Sequence, residues 1–323
     1  MTAPAHQVIV VGLGEIARTH LAVLEQIPDA DVVAGIDIAS RPGLTFRGRP
    51  VPVYATPARA ARDHQPGIVV IATPTPTHAA VCDDVAAAFP AARILVEKPA
   101  DATLAGARHV IASVGARHSI DIAYHMSFSP EVEWGLEVTR ARAGQLGNPV
   151  AITASFTDPY CDRAESARAR YGSSWIDSGI NALSIVHRFV TLTGRISLRG
   201  IGDPSWSAYE GRFACRTAGG GPADALIVTS WHVTEAAKTT TIAYDSGAEL
   251  VLDHTAVAAY LIAGRQVEAL FGAGASVPRR ERHYRALYRS WLTDGKPIAT
   301  PQVHLLLHDL LLQPAGPIGD REG

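Results

Sequence analysis

The sequence lacks the features that mark secreted, membrane-spanning and nucleic-acid-binding proteins. Its three cysteines, Cys82, Cys161 and Cys215, lie far apart, which favours buried thiols in a reducing compartment over disulfides or zinc ligands. The formal net charge of -2 gives no general attraction to nucleic acid or membranes. Residues 1–6 are too short and polar for a signal peptide, and no apolar run has transmembrane length. We therefore expect a cytoplasmic protein that binds neither nucleic acid nor membrane.

The composition, in contrast, supports well-formed hydrophobic cores. Hydrophobic residues make up 47% of the chain and charged residues 19%, which excludes a largely disordered protein. The length of 323 residues is typical of about two domains.

The first part of the chain alternates short apolar segments with helical patterns. Such alternation predicts an α/β domain whose parallel sheet is covered by helices on both faces. The segments interpreted as strands are 7–12, 31–37, 67–72, 93–96 and 120–124, and a helix is predicted over residues 101–113.

The first strand ends in the pattern GxGxxA at Gly12, Gly14 and Ala17. Gly12 allows a tight turn and Gly14 lets a pyrophosphate approach the backbone, while Glu15 and Ile16 begin the helix whose N-terminus would face the phosphates. The order strand, glycine turn, helix and second strand makes this motif more specific than the glycines alone. It predicts a Rossmann domain.

Asp37 closes the second strand, where an acidic residue would bind the ribose hydroxyls of the cofactor. Its charge would repel a 2′-phosphate, so the sequence favours NAD over NADP. The nearby Arg41 could accept that phosphate and keeps NADP possible.

Two polar segments follow the third and fourth strands. The segment 73–78 (TPTPTH) forms a rigid corner in which Thr77 is expected to cap the next helix, and Glu97-Lys98-Pro99 places two opposite charges at the end of a buried strand. Ligands of open α/β sheets bind at this carboxyl edge.

The second part of the chain begins with a strand at 150–156 and a polar loop at 158–174. A helix is predicted from Trp175 to about Thr193, with Asp177 and Asn181 on one side, one turn apart. Further strand signals follow, among them 197–201, and then helices at 279–292 and 301–312. We predict a Rossmann domain over residues 1–125 and a second domain over 126–323, whose C-terminal helices pack back on the first domain or on the sheet of the second.

With these motifs at these intervals, the chain resembles the glucose-fructose oxidoreductase / inositol dehydrogenase / MocA family. The resemblance implies a second α/β domain with an open, mainly antiparallel sheet, through which a homodimer or homotetramer would form. It also implies that Lys98 lies beside the nicotinamide and the reacting hydroxyl. The implied cofactor-binding residues are Gly12, Gly14, Glu15, Ile16, Asp37, Thr73, Pro74, His78, Glu97 and Lys98.

The helix at 177–185 is similar to that of bacterial L-arabinose and D-galactose 1-dehydrogenases. Most of the wider family has histidine where this chain has Asn181, and aspartate where it has Ser184, so the usual lysine–histidine relay is not expected. The resemblance implies catalytic roles for Lys98, Asp177 and Asn181. It also implies a sugar-like substrate, and the implied substrate-binding residues are His125, Trp175, Asn181 and Trp231.

The leading hypothesis is therefore NAD(P)-dependent oxidation of an aldose at C1 to a lactone, without a metal. One alternative is a biosynthetic reductase of keto-sugars or imines, favoured by Arg163, Arg168 and Arg170 in the polar loop. A second alternative is a non-catalytic dinucleotide-binding regulator, against which the intact Lys98 weighs.

Overall fold

The computed structural model describes residues 6–39, 43–161, 163, 165, 168, 171–203, 207–271 and 277–313. The interpretations that concern Arg41 and Arg170 lie outside these residues. Contacts divide the chain into two compact units. The first unit joins the residues up to Tyr124 with Arg280–His308, and the second joins His125–Arg279 with the residues from Asp309 onward. Most of the C-terminal helical segment therefore clusters with the N-terminal unit.

The first unit is built on a parallel sheet of six strands in the order β5-β2-β1-β6-β7-β8. The strands of this part are β1 (His6–Val11), β2 (Ala30–Ile36), β3 (Leu44–Phe46), β4 (Arg49–Val51), β5 (Val53–Tyr54), β6 (Ile68–Ile71), β7 (Arg93–Glu97) and β8 (Ile120–Ala123). The helices are α1 (Glu15–Leu24), α2 (Pro57–Ala60), α3 (His78–Ala88) and α4 (Leu104–Arg108). Every residue of β6 is buried, as expected for a strand with both faces covered.

Two details of the first unit differ from the prediction. The hydroxyl of Thr77 does not cap α3; it donates to the carbonyl oxygen of Pro74 at 2.7 Å, because the preceding residues already form a 3₁₀ turn. The helix predicted from residue 101 begins at Leu104, where Thr103 accepts the amide hydrogen of Gly106. It continues as a π-helical turn over His109–Val114.

The second unit contains a mixed sheet of eight strands in the order β10-β11-β12-β9-β13-β14-β15-β16. The pairing of β9 with β12 is parallel and the others are antiparallel. Its strands are β9 (Pro149–Thr157), β10 (Thr191–Gly200), β11 (Tyr209–Arg216), β12 (Pro222–Ser230), β13 (Ala237–Tyr244), β14 (Glu249–Asp253), β15 (Ala258–Ala263) and β16 (Gln266–Leu270). This mainly antiparallel sheet confirms the predicted fold class.

The helices of the later chain are α5 (Pro130–Ala141), α6 (Ala143–Leu146), α7 (Ile180–Phe189), α8 (Arg279–Tyr288) and α9 (Pro301–Leu312). The helix predicted to reach Thr193 ends at Phe189, because Val190 is already extended. The β-branched residues Val190 and Thr191 prefer that conformation, so the next strand starts before the predicted residue 197. Among the described residues, no helix combines the length and the apolar character needed to cross a membrane.

Candidate active site

The glycine turn after β1 has the shape that a dinucleotide phosphate requires. Gly12 has φ +82°, and a Cβ at this position would lie 2.8 Å from Thr73, so only glycine fits there. A Cβ on Gly14 would meet nothing within 4 Å, which leaves its backbone open to a ligand. No side chain caps α1, and the first amides of a helix, here from Glu15 and Ile16, have no partner within it. The turn therefore fits a pyrophosphate.

Asp37 lies directly after β2 and is tied to the same turn. One oxygen of its carboxylate accepts the amide hydrogen of Leu13 at 2.8 Å, and the other accepts that of Ala39 at 2.8 Å. These contacts fix the carboxylate beside the glycine turn, where it would meet the ribose. The placement fits NAD better than NADP, since a fixed negative charge repels a 2′-phosphate.

The corner after β6 is joined to the turn after β7 by His78. This histidine is fully buried, with Nε2 at 2.9 Å from the carbonyl oxygen of Thr73 and Nδ1 at 3.0 Å from that of Pro99. Both ring nitrogens are therefore occupied by the protein. His78 contributes to a cofactor site by holding the corner of Thr73 and Pro74, and it offers no nitrogen to a ligand.

Glu97 is the last residue of β7, and its carboxylate is buried. It lies 2.9 Å from Nε2 of His20 and accepts the hydroxyl hydrogen of Tyr284 at 2.5 Å. Burial alone would raise the pKa of Glu97, but the hydrogen bond and charge of His20, with that of Tyr284, hold the pKa below its ordinary value. Glu97 is thus an ionised anchor within the first unit, and the half-buried Lys98 follows it.

In the second unit, Asp177 lies on a π-helical turn, Trp175–Gly179, that leads into α7. Asn181 is 5% exposed, and its Nδ2 donates to the carbonyl oxygen of Asp177 at 3.3 Å. Its Oδ1 is buried and has no hydrogen-bond partner among the described residues. An unpaired buried acceptor is costly, so this oxygen is suited to a ligand hydroxyl.

The two predicted tryptophans differ in their surroundings. The indole N–H of Trp175 donates to the carbonyl oxygen of Leu311 at 2.9 Å, and its ring stacks on Phe213. Trp175 therefore packs in the core of the second unit. Its predicted substrate contact stays a prediction. Trp231 contacts the ring of Tyr160, and its buried Nε1 has no hydrogen-bond partner among the described residues.

His125 is half-buried and begins a 3₁₀ turn, His125–Phe128. Part of its side chain is therefore accessible to solvent. Its predicted substrate contact stays a prediction.

A buried ion pair in the second unit was not predicted from the sequence. Nζ of Lys238 lies 2.7 Å from Oδ1 of Asp158, and Oδ2 of Asp158 accepts the hydroxyl hydrogen of Ser178 at 3.1 Å. Burial lowers the pKa of Lys238, while the charges of Asp158 and Asp177 act against that change. The pair therefore supports the turn that carries Asp177. The sequence does contain a signal for a buried lysine, because Lys238 lies on the same face of β13 as the buried residues Thr240 and Ile242.

The comparisons with known proteins agree with the Rossmann fold of the N-terminal part. Residues 6–124 match the family model described as "Oxidoreductase family, NAD-binding Rossmann fold", GFO_IDH_MocA. This part of the chain is therefore similar to the Gfo/Idh/MocA oxidoreductases. The rhizopine catabolism protein MocA of Rhizobium meliloti is 30% identical over 174 residues, which are 53% of this chain and 53% of that protein. The chain thus aligns with about half the length of this curated relative.

Solved structures match nearly the full length of the chain. An oxidoreductase from Agrobacterium radiobacter, solved with NAD+, L-tartaric acid and magnesium, has a TM-score of 0.75 at 15% identity, covering 95% of this chain and 94% of that one. A myo-inositol dehydrogenase from Corynebacterium glutamicum has a TM-score of 0.72 at 18% identity, with 96% and 95% covered. At these identities the likeness shows the fold alone.

Proposed function

We propose that this protein is an NAD(P)-dependent dehydrogenase of a sugar-like substrate, with NAD as the favoured cofactor. The observation that carries the proposal is Lys98, which directly follows the buried anchor Glu97 at the end of β7. In the same sheet, the open glycine turn follows β1 and the fixed carboxylate of Asp37 follows β2. Ligands of such sheets bind at this edge.

We further propose that the reaction is oxidation of a free aldose at C1 to a lactone. Bound nicotinamide would accept the hydride from C1, and the hydroxyl proton would leave to the protein. We assign Lys98 to polarising the hydroxyl, Asp177 to accepting its proton, and Asn181 with His125 to holding the sugar. The unpaired Oδ1 of Asn181 supports this role, since it can accept a sugar hydroxyl.

A keto-sugar or imine reductase is the second candidate. The guanidinium of Arg163 lies 3.9 Å from the centre of the Tyr160 ring, in the unit that carries Asp177. An arginine there could bind the phosphate or carboxylate of a larger substrate. A UDP-N-acetylglucosamine 3-dehydrogenase from Acidithiobacillus ferrooxidans has the same fold, with a TM-score of 0.72 at 17% identity.

The test is turnover with NAD and NADP over a panel of aldoses, cyclitols and amino-cyclitols, followed by the absorbance of the reduced cofactor. We expect NAD-dependent turnover with at least one aldose. Lys98→Ala and Asp177→Ala should each lower kcat by about 10²-fold or more, while Lys296→Ala, which changes an exposed lysine, should not. Turnover only with keto substrates and reduced cofactor would favour the second candidate.

We also propose that copies of the chain associate through the eight-stranded sheet. Along β9, β12 and β13, buried residues alternate with more exposed ones, so one face of the sheet is packed and the other is not. Light scattering of the purified protein tests this, and a monomer at micromolar concentration would contradict it.

A further inference from the structure

The segment Glu97–Ala100, which carries Lys98, is held at several points by buried histidines. Nε2 of His20 lies 2.9 Å from the Glu97 carboxylate, and Nδ1 of His78 lies 3.0 Å from the carbonyl oxygen of Pro99. The amide of Ala100 donates to Nε2 of His308 at 2.8 Å. These histidines come from α1, α3 and α9, and all three belong to the first unit, so residues of three helices fix one short turn.

His308 differs from the other two because its proton can be located from its neighbours. Its Nδ1 lies 2.7 Å from the carbonyl oxygen of His304, which can only accept a hydrogen bond. Its Nε2 faces the amide of Ala100, which can only donate one. The ring is therefore neutral, with its proton on Nδ1. Burial, the largest influence, lowers the pKa of His308 to about 4, which agrees with this assignment.

We infer that His308 is a positioning residue for Lys98: by accepting the amide hydrogen of Ala100, it fixes the C-terminal end of the turn that carries the lysine. The inference rests on the proposed function in that Lys98 acts on the substrate hydroxyl. Ala100 is fully buried, so its amide has no access to water if the histidine acceptor is removed.

Loss of this contact has a defined consequence. A buried amide without an acceptor is unfavourable, and the chain relieves it by shifting Ala100 toward another acceptor or toward solvent. Lys98 lies two residues away and moves with it. A displacement of the order of 1 Å at a reacting group costs about 10²-fold in rate. The effect should fall on kcat, since Asp177, Asn181 and the glycine turn keep their own contacts.

The test compares His308→Leu, which removes the acceptor, with His308→Gln, whose carboxamide can both accept and donate. His109→Gln is the matched control, because His109 is a partly exposed histidine of the same unit paired with Asp83. We expect His308→Leu to lower kcat by about 10²-fold with little change in the KM for the sugar. His308→Gln should retain most of the wild-type kcat. Wild-type kcat in folded His308→Leu would overturn the inference.

A second measurement does not depend on turnover. The sequence contains three lysines, Lys98, Lys238 and Lys296, so acetylation of each can be followed by mass spectrometry, with the exposed Lys296 as internal reference. A released turn should make Lys98 react about threefold faster or more relative to Lys296 in His308→Leu, but not in His109→Gln. An unchanged Lys98 ratio in folded His308→Leu would overturn the inference.

The two measurements separate this inference from the proposed function. If the wild-type protein turns over no substrate of the panel, the proposed function fails, and lysine acetylation alone decides whether His308 holds the turn. If His308→Leu does not fold, His308→Asn takes its place, because the shorter carboxamide does not reach Ala100. If His308→Asn keeps the wild-type kcat and the wild-type reactivity of Lys98, the inference is contradicted. A lower kcat and a faster reaction of Lys98 in His308→Asn, both reversed in His308→Gln, would support it.

Discussion

The two units support their candidate catalytic residues in different ways. In the first unit, the turn of Lys98 is held by histidines and by Tyr284, and its buried anchor is the carboxylate of Glu97. In the second unit, the turn of Asp177 is supported by the ion pair of Lys238 and Asp158. A histidine loses or gains its charge within the physiological range, whereas a lysine–aspartate pair normally does not.

We therefore expect the support of Lys98 to weaken at low pH. The support of Asp177 should instead require that both Lys238 and Asp158 are present. Each support can be broken separately, because no residue is shared between them. A substitution in one support should therefore leave the other in place.

The largest effect is expected from Lys238→Met. This change leaves the carboxylate of Asp158 buried without its cation, and removal of one partner of a buried pair typically costs about 3–5 kcal/mol. The free energy of unfolding, measured with urea, should fall by that amount. The double variant Lys238→Met with Asp158→Asn should recover a large part of it, since the unpaired charge is gone. A loss below about 1 kcal/mol in the single variant would show that water reaches the pair.

The second prediction concerns acid and His308. Its pKa falls from 6.5 in the unfolded chain to about 4 in the fold, so below pH 6.5 the unfolded state binds the proton more readily. Stability should therefore fall as the pH drops from 6.5 to 4, by about 3 kcal/mol at 1.4 kcal/mol per pKa unit. The groups whose charges act on His308 are His304, Asp101 and His78.

Other groups of the protein also titrate in this range, so the wild type alone does not isolate His308. The pH dependence of unfolding is therefore compared between wild type and His308→Gln. The slopes of the two curves, unfolding free energy against pH, should differ between pH 6.5 and 4 and be equal above pH 7. Parallel curves across the whole range would contradict the neutral state assigned to His308.

The third prediction compares Tyr284→Phe with Tyr288→Phe. The hydroxyl of Tyr284 donates to the ionised Glu97, whereas that of Tyr288 contacts Nδ1 of His20 at 2.7 Å. A hydrogen bond to a charged group contributes about 1.5–3 kcal/mol and a neutral one about 1 kcal/mol. Thermal or urea unfolding should therefore show a greater loss for Tyr284→Phe, and the reverse order would contradict the ionised state assigned to Glu97.

Much of the first unit could be predicted from sequence because its signals are local. Buried parallel strands are continuous apolar runs, and the glycine turn is read from neighbouring residues. Strands β1, β2, β6, β7 and β8 accordingly begin and end close to the predicted ones, whereas the short strands β3, β4 and β5 were not predicted. The end of α7 was missed because the apolar spacing of the helix runs on into Val190 without a glycine or proline to stop it.

The supports of the site are harder to predict because they join residues distant in sequence. His308 contacts Ala100, and Lys238 contacts Asp158, and neither pairing leaves a trace in local spacing. The alternation of β13 does place Lys238 on the buried face, which shows that it needs a partner without naming one. Sequence thus indicates which residues require support, and the fold decides what supplies it.

The smallest effect is expected from Ser178→Ala, which removes one hydroxyl from the Asp158 carboxylate and leaves the ion pair intact. Because the carboxylate keeps its Lys238 partner, loss of this single hydrogen bond should cost about 1.5 kcal/mol of unfolding free energy, the low end of the range for a charged partner. Because Ser178 directly follows Asp177, the loosened turn should raise the KM for the sugar and leave the affinity for NAD unchanged. Arg199→Gln, which breaks an exposed pair with Glu210, is the control and should change neither quantity. A weaker affinity for NAD in Ser178→Ala, with an unaltered KM for the sugar, would show that the turn of Asp177 serves the cofactor instead.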